Sequence, residues 1–207
     1  QTPEDFEYMA FPRLLAMSEV QWTQPEHKDF ESFARRLDKE FERLDYCGVN
    51  ACRNFYEVNQ TGAWNKSQQT YEVTLNTFCP DADIYYAVND STVNTSSSLY
   101  ETPIPLDEDA TIYSAVYRSG KPLGKVTRKS FAVNKATGCD YTCNPEAGWE
   151  HLNKGFGLTD GRRGYARDMR RWISFYQDTV QIVVELKKPQ KVKEVAFSSL
   201  WRPVNEI

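Results

Sequence analysis

At residues 71–77 the chain reads YEVTLNT, in which apolar and polar residues alternate. The same period of two returns in IYYAV at 84–88, in ATIYSAVY at 110–117 and in a final run at 126–133. Such alternation is typical of strands that bury one face of a sheet. Polar turn segments separate the runs, at residues 79–83, 89–92, 94–98, 107–109 and 119–122. Short strands with polar turns between them predict a small antiparallel β-sandwich over residues 56–134.

The chain before these strands, residues 1–55, is predicted to be helical. Thr2 and Pro3 are typical of a helix start, as N-cap and first helical residue, and two acidic residues follow them. From Tyr8 to Trp22 the run is apolar around most of the helix circumference. Because a surface helix has a single apolar stripe, we expect this helix to be packed inside a larger body. Pro12 is expected to break or kink it.

A second helix is predicted to open at Thr23, because TQPE at 23–26 fits the Ser/Thr-x-x-Glu capping box. Gly48 is expected to end this helix. A single apolar stripe follows its length, formed by Phe30, Phe33, Ala34, Leu37, Phe41 and Leu44. Two helices with this much apolar surface do not form a domain alone, so the chain is expected to begin within a domain.

Residues 135–207 begin with a stretch rich in glycine, proline and asparagine. Two strands are predicted after it, at 179–186 and 192–200, on either side of a turn at 187–190. Two strands and a long loop do not close a core, so this region is also expected to be part of a larger domain. The predicted fold class is mainly β with an N-terminal helical pair, an α+β multidomain fragment.

The composition excludes several classes of protein. The 207 residues carry 25 Lys and Arg against 29 Asp and Glu, a net charge of −4, which argues against nucleic acid as a partner. No apolar run approaches the roughly 20 residues of a membrane helix, so no membrane insertion is expected. Of the five cysteines, Cys139 and Cys143 could close a small disulfide loop, but buried or incidental thiols are favoured.

Catalytic and cofactor motifs are missing from the sequence. There is no Gly-x-Ser-x-Gly nucleophile elbow and no glycine-rich phosphate loop. The two histidines, His27 and His151, have no zinc-site spacing, and His27 is expected to be a solvated helix residue. Asp107 and Glu108 form the single Asp-Glu step, but a turn offers nothing to raise the pKa of either carboxyl. We therefore predict no catalytic, cofactor-binding or metal-binding residue in this chain, and no cofactor.

One dense basic segment lies in the C-terminal region. It could bind a sugar or an anion, although a loop tied down by ion pairs to nearby aspartates is the favoured interpretation. Asp160 followed by Gly161 could help to bind calcium, but a lone Asp-Gly pair is only a weak indication of a calcium site. Trp64, Trp149 and Trp201 are interpreted as packing anchors. The basic segment contains Arg162, Arg163, Arg167, Arg170 and Arg171, with Tyr165, Trp172, Phe175 and Tyr176 among them.

The N-terminal run TPEDFEYMAFPRLLAMSEVQWT at 2–23 resembles the end of the catalytic barrel in family 20 glycoside hydrolases, the β-N-acetylhexosaminidases. The residues that carry the resemblance are Pro12 and Arg13, Glu19 and Trp22. The helix that ends in LDYCGVN at 44–50 is similar to the last helix of that barrel.

The rest of the chain resembles two modules that accompany such barrels. Residues 71–133, with ADIYY at 82–86, are similar to an immunoglobulin-like module. The C-terminal region resembles the start of a discoidin-like (coagulation factor 5/8 C-type) module, a class that often binds carbohydrate and sometimes calcium. Its matching residues are GLTDGRRG at 157–164, Asp168, WISF at 172–175, Asp178 and VQIVVEL at 180–186.

The resemblance implies three segments: the last helices of a (β/α)8 barrel at 1–55, an immunoglobulin-like sandwich at 56–134 and a partial discoidin-like module at 135–207. It implies the non-catalytic C-terminal part of a periplasmic or extracellular exo-β-N-acetylhexosaminidase. That family removes terminal N-acetylhexosamine from glycans by substrate-assisted retaining hydrolysis. Its catalytic Asp–Glu pair matches no residue here, so the glycan substrate would be bound by the barrel. The alternatives are a stand-alone carbohydrate-binding module and a structural spacer.

Overall fold

The computed structural model describes residues 2–144, 157–161, 172–173, 175 and 179–199. Within them the chain is mainly β, with three α-helices at its N-terminus and antiparallel sheets, which confirms the predicted fold class. The helices are Pro3–Ala10 (α1), Arg13–Trp22 (α2) and Phe30–Tyr46 (α3). The strands are Asn59–Asn65 (β1), Thr70–Asn76 (β2), Asp83–Val88 (β3), Ser98–Leu99 (β4), Ile104–Leu106 (β5), Ala110–Arg118 (β6), Lys121–Pro122 (β7), Thr127–Phe131 (β8), Asp140–Asn144 (β9) and Gln181–Glu185 (β10).

The described residues form two compact units, each built from several segments of the chain. Unit 1 draws on Gln1–Gln60, Leu75–Thr102 and Thr111–Lys129. Unit 2 draws on Thr61–Thr74, Pro103–Ala110 and Ser130–Ile207.

Helix α1 starts as the sequence predicts. The Thr2 hydroxyl accepts a hydrogen bond from the backbone N–H of Asp5 at 3.3 Å, and the Asp5 carboxylate accepts one from the N–H of Thr2 at 3.0 Å. This reciprocal pair satisfies N–H groups that a helix start leaves without intrahelical partners. The predicted break at Pro12 is also confirmed, because α1 ends at Ala10 and α2 begins at Arg13.

The predicted start of the next helix is wrong. Residues Pro25–His27 form a single 3-10 turn, after which the backbone is extended at Lys28. Helix α3 starts only at Phe30, where the Asp29 carboxylate caps the Ser32 N–H at 2.9 Å. The Thr23 hydroxyl instead donates a hydrogen bond to Glu19 at 3.2 Å. The capping-box spacing is therefore present in the sequence, but the turn it precedes does not continue into a helix.

Replacing Asp29 by alanine is expected to lower the free energy of unfolding by about 1 kcal/mol, the usual cost of an N-cap. Thr23→Ala is the matched control, and we expect it to change stability by less than about 0.5 kcal/mol because its cap is not formed. Urea denaturation followed by helical circular dichroism measures both. A larger loss for Thr23→Ala than for Asp29→Ala would contradict the observed helix start.

The remaining features of α3 follow the prediction more closely. Ala34, Leu37 and Phe41 of the apolar stripe are buried, although Phe30 at the first turn is 62% exposed. The helix ends at Tyr46, and Gly48 follows the C-cap residue Cys47 with a φ of +70°, a conformation that glycine adopts without strain. The Gly48 N–H donates to Asp45 O at 3.0 Å and the Val49 N–H to Leu44 O at 2.9 Å. These two bonds are the Schellman pattern of a helix C-terminus.

Four of the predicted strands are confirmed as β2, β3, β6 and β8. In unit 1, β3 lies between β4 and β6, β6 also pairs with β7 and β8, and the β3–β6 register places Ile84 opposite Val116. The β6–β7 hairpin turns at Ser119 and Gly120, with φ angles of +50° and +75°. Two positive φ angles are the geometry that matches the twist of a two-residue hairpin.

Several strands have no alternating apolar signal and were not predicted. Strand β1 lies beside β2, which pairs with β5. The buried positions of β1 include Gln60 and Gly62, neither of which is a large apolar residue. The Gln60 amide instead donates hydrogen bonds to Ile112 O at 3.3 Å, Ser114 Oγ at 2.8 Å and Thr127 O at 3.2 Å. Polar pairing with β6 and β8 thus takes the place of apolar burial.

In the C-terminal region the strand predicted at 179–186 is confirmed as β10, which pairs antiparallel with β9. The strand predicted at 192–200 is wrong over its described part, since 191–199 have no regular secondary structure. Val195 and Phe197 are 86% and 70% exposed there. Apolar β-branched residues form a strand only where a neighbouring strand pairs with their backbone and packs against their side chains. The predicted partner of this segment, β10, is paired with β9 instead.

All five cysteines lie in the described residues, and all are free thiols. Cys139 precedes β9 and Cys143 lies within it. An extended backbone advances about 3.3 Å per residue, which places these two residues too far apart for a disulfide. The favoured interpretation of unpaired thiols therefore agrees with the structure.

Candidate functional site

The described residues that were considered for catalysis are exposed. Asp107 and Glu108 are exposed in the turn between β5 and β6, and His27 is exposed in its 3-10 turn. The neighbouring Asp109 carboxylate accepts the Val133 N–H at 2.8 Å and so closes this turn. In the described part of the chain, no three His, Cys, Asp or Glu side chains converge as metal ligands would.

Much of the basic C-terminal segment lies outside the described residues, and so do His151, Trp149 and Trp201. All five arginines of the segment lie outside the described residues, as do Tyr165, Asp168, Tyr176 and Asp178. Asp160, the residue with a weak calcium signal, is described: its carboxylate accepts the Gly157 N–H at 3.1 Å and thereby shapes a local turn. Trp172 and Phe175 are half-buried.

Residues 157–161 form hydrogen bonds with other parts of unit 2. The Thr159 hydroxyl donates to Cys139 O at 2.7 Å, and Thr159 O accepts the Gly138 N–H at 2.7 Å. The Tyr71 hydroxyl lies 3.5 Å from Gly161 O. Two of these bonds satisfy the hydroxyl and the carbonyl group of the buried Thr159, so this segment has a structural role.

Trp64 is a packing anchor of unit 2. The Lys187 ammonium lies over its ring, 3.9 Å from the centroid, and also donates to Gln69 Oε1 at 2.9 Å. The Gly138 backbone lies so close to the indole that a Cβ at that position would overlap it. Because a lysine and a glycine backbone already occupy its ring surface, Trp64 is poorly suited to stacking on a sugar.

Unit 1 contains a polar cluster that joins α3 to the end of β6. The Asp38 carboxylate accepts a hydrogen bond from the Tyr56 hydroxyl at 2.9 Å and pairs with Arg118 Nη1 at 2.7 Å. Arg118 Nη2 donates to Pro80 O at 2.8 Å and to the Cys79 thiol at 3.0 Å. We call Asp38, Tyr56, Cys79 and Arg118 the α3–β6 cluster.

The protonation states of the α3–β6 cluster do not suit catalysis. Burial raises the pKa of the Cys79 thiol to about 11, although the Arg118 charge opposes this. Burial and the hydrogen bond to Asp38 raise the pKa of the Tyr56 hydroxyl well above its usual range. At neutral pH both groups are protonated, and neither acts as nucleophile or general base. The cluster is structural, and the wide spacing of its residues left no motif in the sequence.

A second unassigned feature is the exposed apolar surface of the first two helices. Both helices lie within the described residues, and neither contains a buried side chain. Trp22 is 86% exposed and Phe6 is 69% exposed. We define the α1–α2 apolar surface as six of the large hydrophobic residues that these helices expose, namely Phe6, Met9, Leu14, Met17, Val20 and Trp22. Large exposed apolar patches are typical of interaction surfaces.

The helices that carry this surface are held to the rest of unit 1 by polar contacts. The Glu7 carboxylate accepts the Asn50 N–H at 2.8 Å, and the Asn50 side chain donates to Glu4 O at 3.1 Å. The Cys52 N–H donates to Phe11 O at 3.0 Å. Among the described helices, none has the length and apolar character needed to cross a membrane.

Comparison with known proteins gives two findings. The family described as Fn3 associated matches residues 73–131, which run from β2 through β8. A β-hexosaminidase from Porphyromonas gingivalis is 51% identical over 49 residues, which are 24% of this chain and 6% of that protein. The match thus covers only a small part of the relative's length. Together the two findings support the resemblance to the C-terminal portion of a bacterial β-hexosaminidase.

Proposed function

We propose that this chain is the non-catalytic C-terminal part of a secreted or periplasmic exo-β-N-acetylhexosaminidase. The enzyme would remove terminal N-acetylhexosamine from glycans by substrate-assisted retaining hydrolysis, with the chemistry performed by a barrel that precedes these residues. The observation that carries the proposal is the 51% identity to a β-hexosaminidase. Residues 1–55 would be the last helices of that barrel, and residues 56–134 an immunoglobulin-like module beside it.

The α1–α2 apolar surface supports this division of the chain. Burying one large apolar side chain contributes roughly 1.5–3 kcal/mol, so six exposed ones represent a considerable free energy of association. A barrel that packs its neighbouring helices and strands on α1 and α2 would cover them. The same surface explains why these helices contain apolar residues on several sides.

Residues 135–207 would begin a discoidin-like module with an accessory role in carbohydrate binding. The resemblance at 157–164 and 180–186 supports this part of the proposal. In the substrate-assisted mechanism an Asp orients the 2-acetamido group of the substrate and a Glu protonates the leaving oxygen. The Asp–Glu pair of that family matches no residue of this chain, so the role of the chain would be to support the catalytic barrel.

The proposal predicts that the purified 207-residue chain does not hydrolyse 4-nitrophenyl N-acetyl-β-glucosaminide, whereas the natural protein containing this segment does. Release of nitrophenolate measures turnover, and the intact mass of the natural protein establishes how much chain precedes residue 1. In that longer protein, Asp107→Asn and Glu108→Gln should leave kcat unchanged, since both residues lie in an exposed turn.

Two results would contradict the proposal. One is turnover by the 207-residue chain that is lost in Glu108→Gln. The other is a natural protein whose mass corresponds to these residues alone, in which case glycan binding without hydrolysis becomes the function to test.

A further inference from the structure

Helix α3 is attached to its surroundings in unit 1 by two kinds of contact. On its apolar side, the Phe41 ring packs against Phe55 and Tyr56, with centroid separations of 5.6 and 5.2 Å. The Arg53 guanidinium lies over the same Phe41 ring at 4.5 Å from its centroid. Asp38, three residues before Phe41 and on the same face of the helix, supplies the polar contacts and belongs to the α3–β6 cluster.

The hydrogen bonds of the cluster connect elements that are distant in sequence. Asp38 lies in the middle of α3, Tyr56 in a 3-10 turn, and Arg118 at the last position of β6. Each carboxylate oxygen of Asp38 has its own partner, and each terminal nitrogen of Arg118 has at least one acceptor. The side chains of Asp38 and Arg118 are 19% and 31% exposed, so the pair is shielded from water much better than a surface ion pair.

Close backbone packing restricts the cluster further. Gly124, in the connection between β7 and β8, lies against Tyr56, and a Cβ on Gly124 would come within 2.6 Å of Tyr56 O. The connection between β7 and β8 therefore packs directly against the backbone of Tyr56. A displacement of α3 relative to β6 would break a charged pair and several hydrogen bonds at once, and it would leave shielded charges without partners.

We propose that the α3–β6 cluster is a brace that couples α3 to the sheet containing β3 and β6, so that local opening of one is transmitted to the other. The brace gives the sheet a mechanical role, namely holding α3 in place. The proposal concerns unit 1 of this chain and does not rest on the proposed enzymatic function.

Hydrogen–deuterium exchange of the 207-residue chain tests the brace through a perturbation placed elsewhere in the sheet. Ile112 is fully buried on β6, and Ile112→Val is expected to speed exchange in β3 and β6 by about threefold to tenfold. With the brace intact, peptides covering α3 should show a similar increase. In an Arg118→Met background, Ile112→Val should still speed exchange in β3 and β6. The increase in the exchange rate of α3 should then fall below about twofold.

The matched control is Arg43→Met, which removes an exposed ion pair between Arg43 and Glu40 on the same helix. In that background the effect of Ile112→Val on α3 should be unchanged. If Arg118→Met does not fold, Tyr56→Phe and Asp38→Asn weaken the brace with smaller changes in charge and volume. The proposal is overturned if Ile112→Val speeds exchange in α3 equally with the brace intact and with it broken.

Discussion

Replacing Phe41 by alanine is expected to lower the free energy of unfolding by about 3–5 kcal/mol, the usual range for a buried phenylalanine. Phe41 is 2% exposed and is among the largest fully enclosed side chains of the described residues. It contacts Phe55 and Tyr56 and lies beneath the Arg53 guanidinium. Removing the ring therefore leaves a cavity and also ends three ring contacts.

The matched control for this change is Phe30→Ala on the same helix. Phe30 is 62% exposed and touches Phe33 and Phe78 at the surface. Its loss should cost about 1 kcal/mol or less, because little area returns to water. Urea denaturation followed by circular dichroism and by tryptophan fluorescence measures both variants. Equal losses for Phe41→Ala and Phe30→Ala would contradict the observed packing of α3.

The second large effect is expected for Gly138→Ala, which should cost about 2–4 kcal/mol through backbone strain and overpacking together. Gly138 has a φ of +71°, a conformation that alanine adopts only with strain. In addition, the new methyl group would overlap the Trp64 ring, which the Lys187 ammonium contacts as well. Either the indole or the turn at Gly138 must move.

A control separates these two causes. Gly120 has a φ of +75°, but no atom lies within 4 Å of the position that its Cβ would take. Gly120→Ala should therefore show the backbone cost alone, about 1–2 kcal/mol. Adding Trp64→Leu to Gly138→Ala should cost less than the sum of the single changes, because the overlap is relieved. Thermal unfolding of the three single variants and the double variant measures these costs. Equal destabilisation by Gly138→Ala and Gly120→Ala would contradict the close packing of Gly138 on Trp64.

Local sequence patterns predicted the features that depend on neighbouring residues. The start of α1 at Thr2, the break at Pro12 and the end of α3 at Gly48 each follow from contacts within one helical turn. The strands β2, β3, β6 and β8 follow from the period of two, because burial of one sheet face selects apolar residues at alternate positions.

Features that depend on distant partners could not be predicted in this way. Gln60 is buried in β1 because Ile112, Ser114 and Thr127 accept its amide hydrogens, and these residues are more than fifty positions away. The segment at 192–199 has the composition of a strand but no pairing partner among the described residues. The α3–β6 cluster could not be predicted either, because Asp38 and Arg118 are 80 positions apart and belong to no common motif.

The sequence alone was enough to establish a mainly β chain with N-terminal helices, and its motifs resemble those of the β-hexosaminidases. Caps, turns and alternating strands depend on short stretches of backbone, so their information is local. The tertiary structure was needed to show that Asp29 rather than Thr23 starts α3, that Trp64 is packed against Gly138, and that Arg118 joins β6 to α3. These outcomes depend on which distant groups meet, and only the folded chain brings those groups within bonding distance.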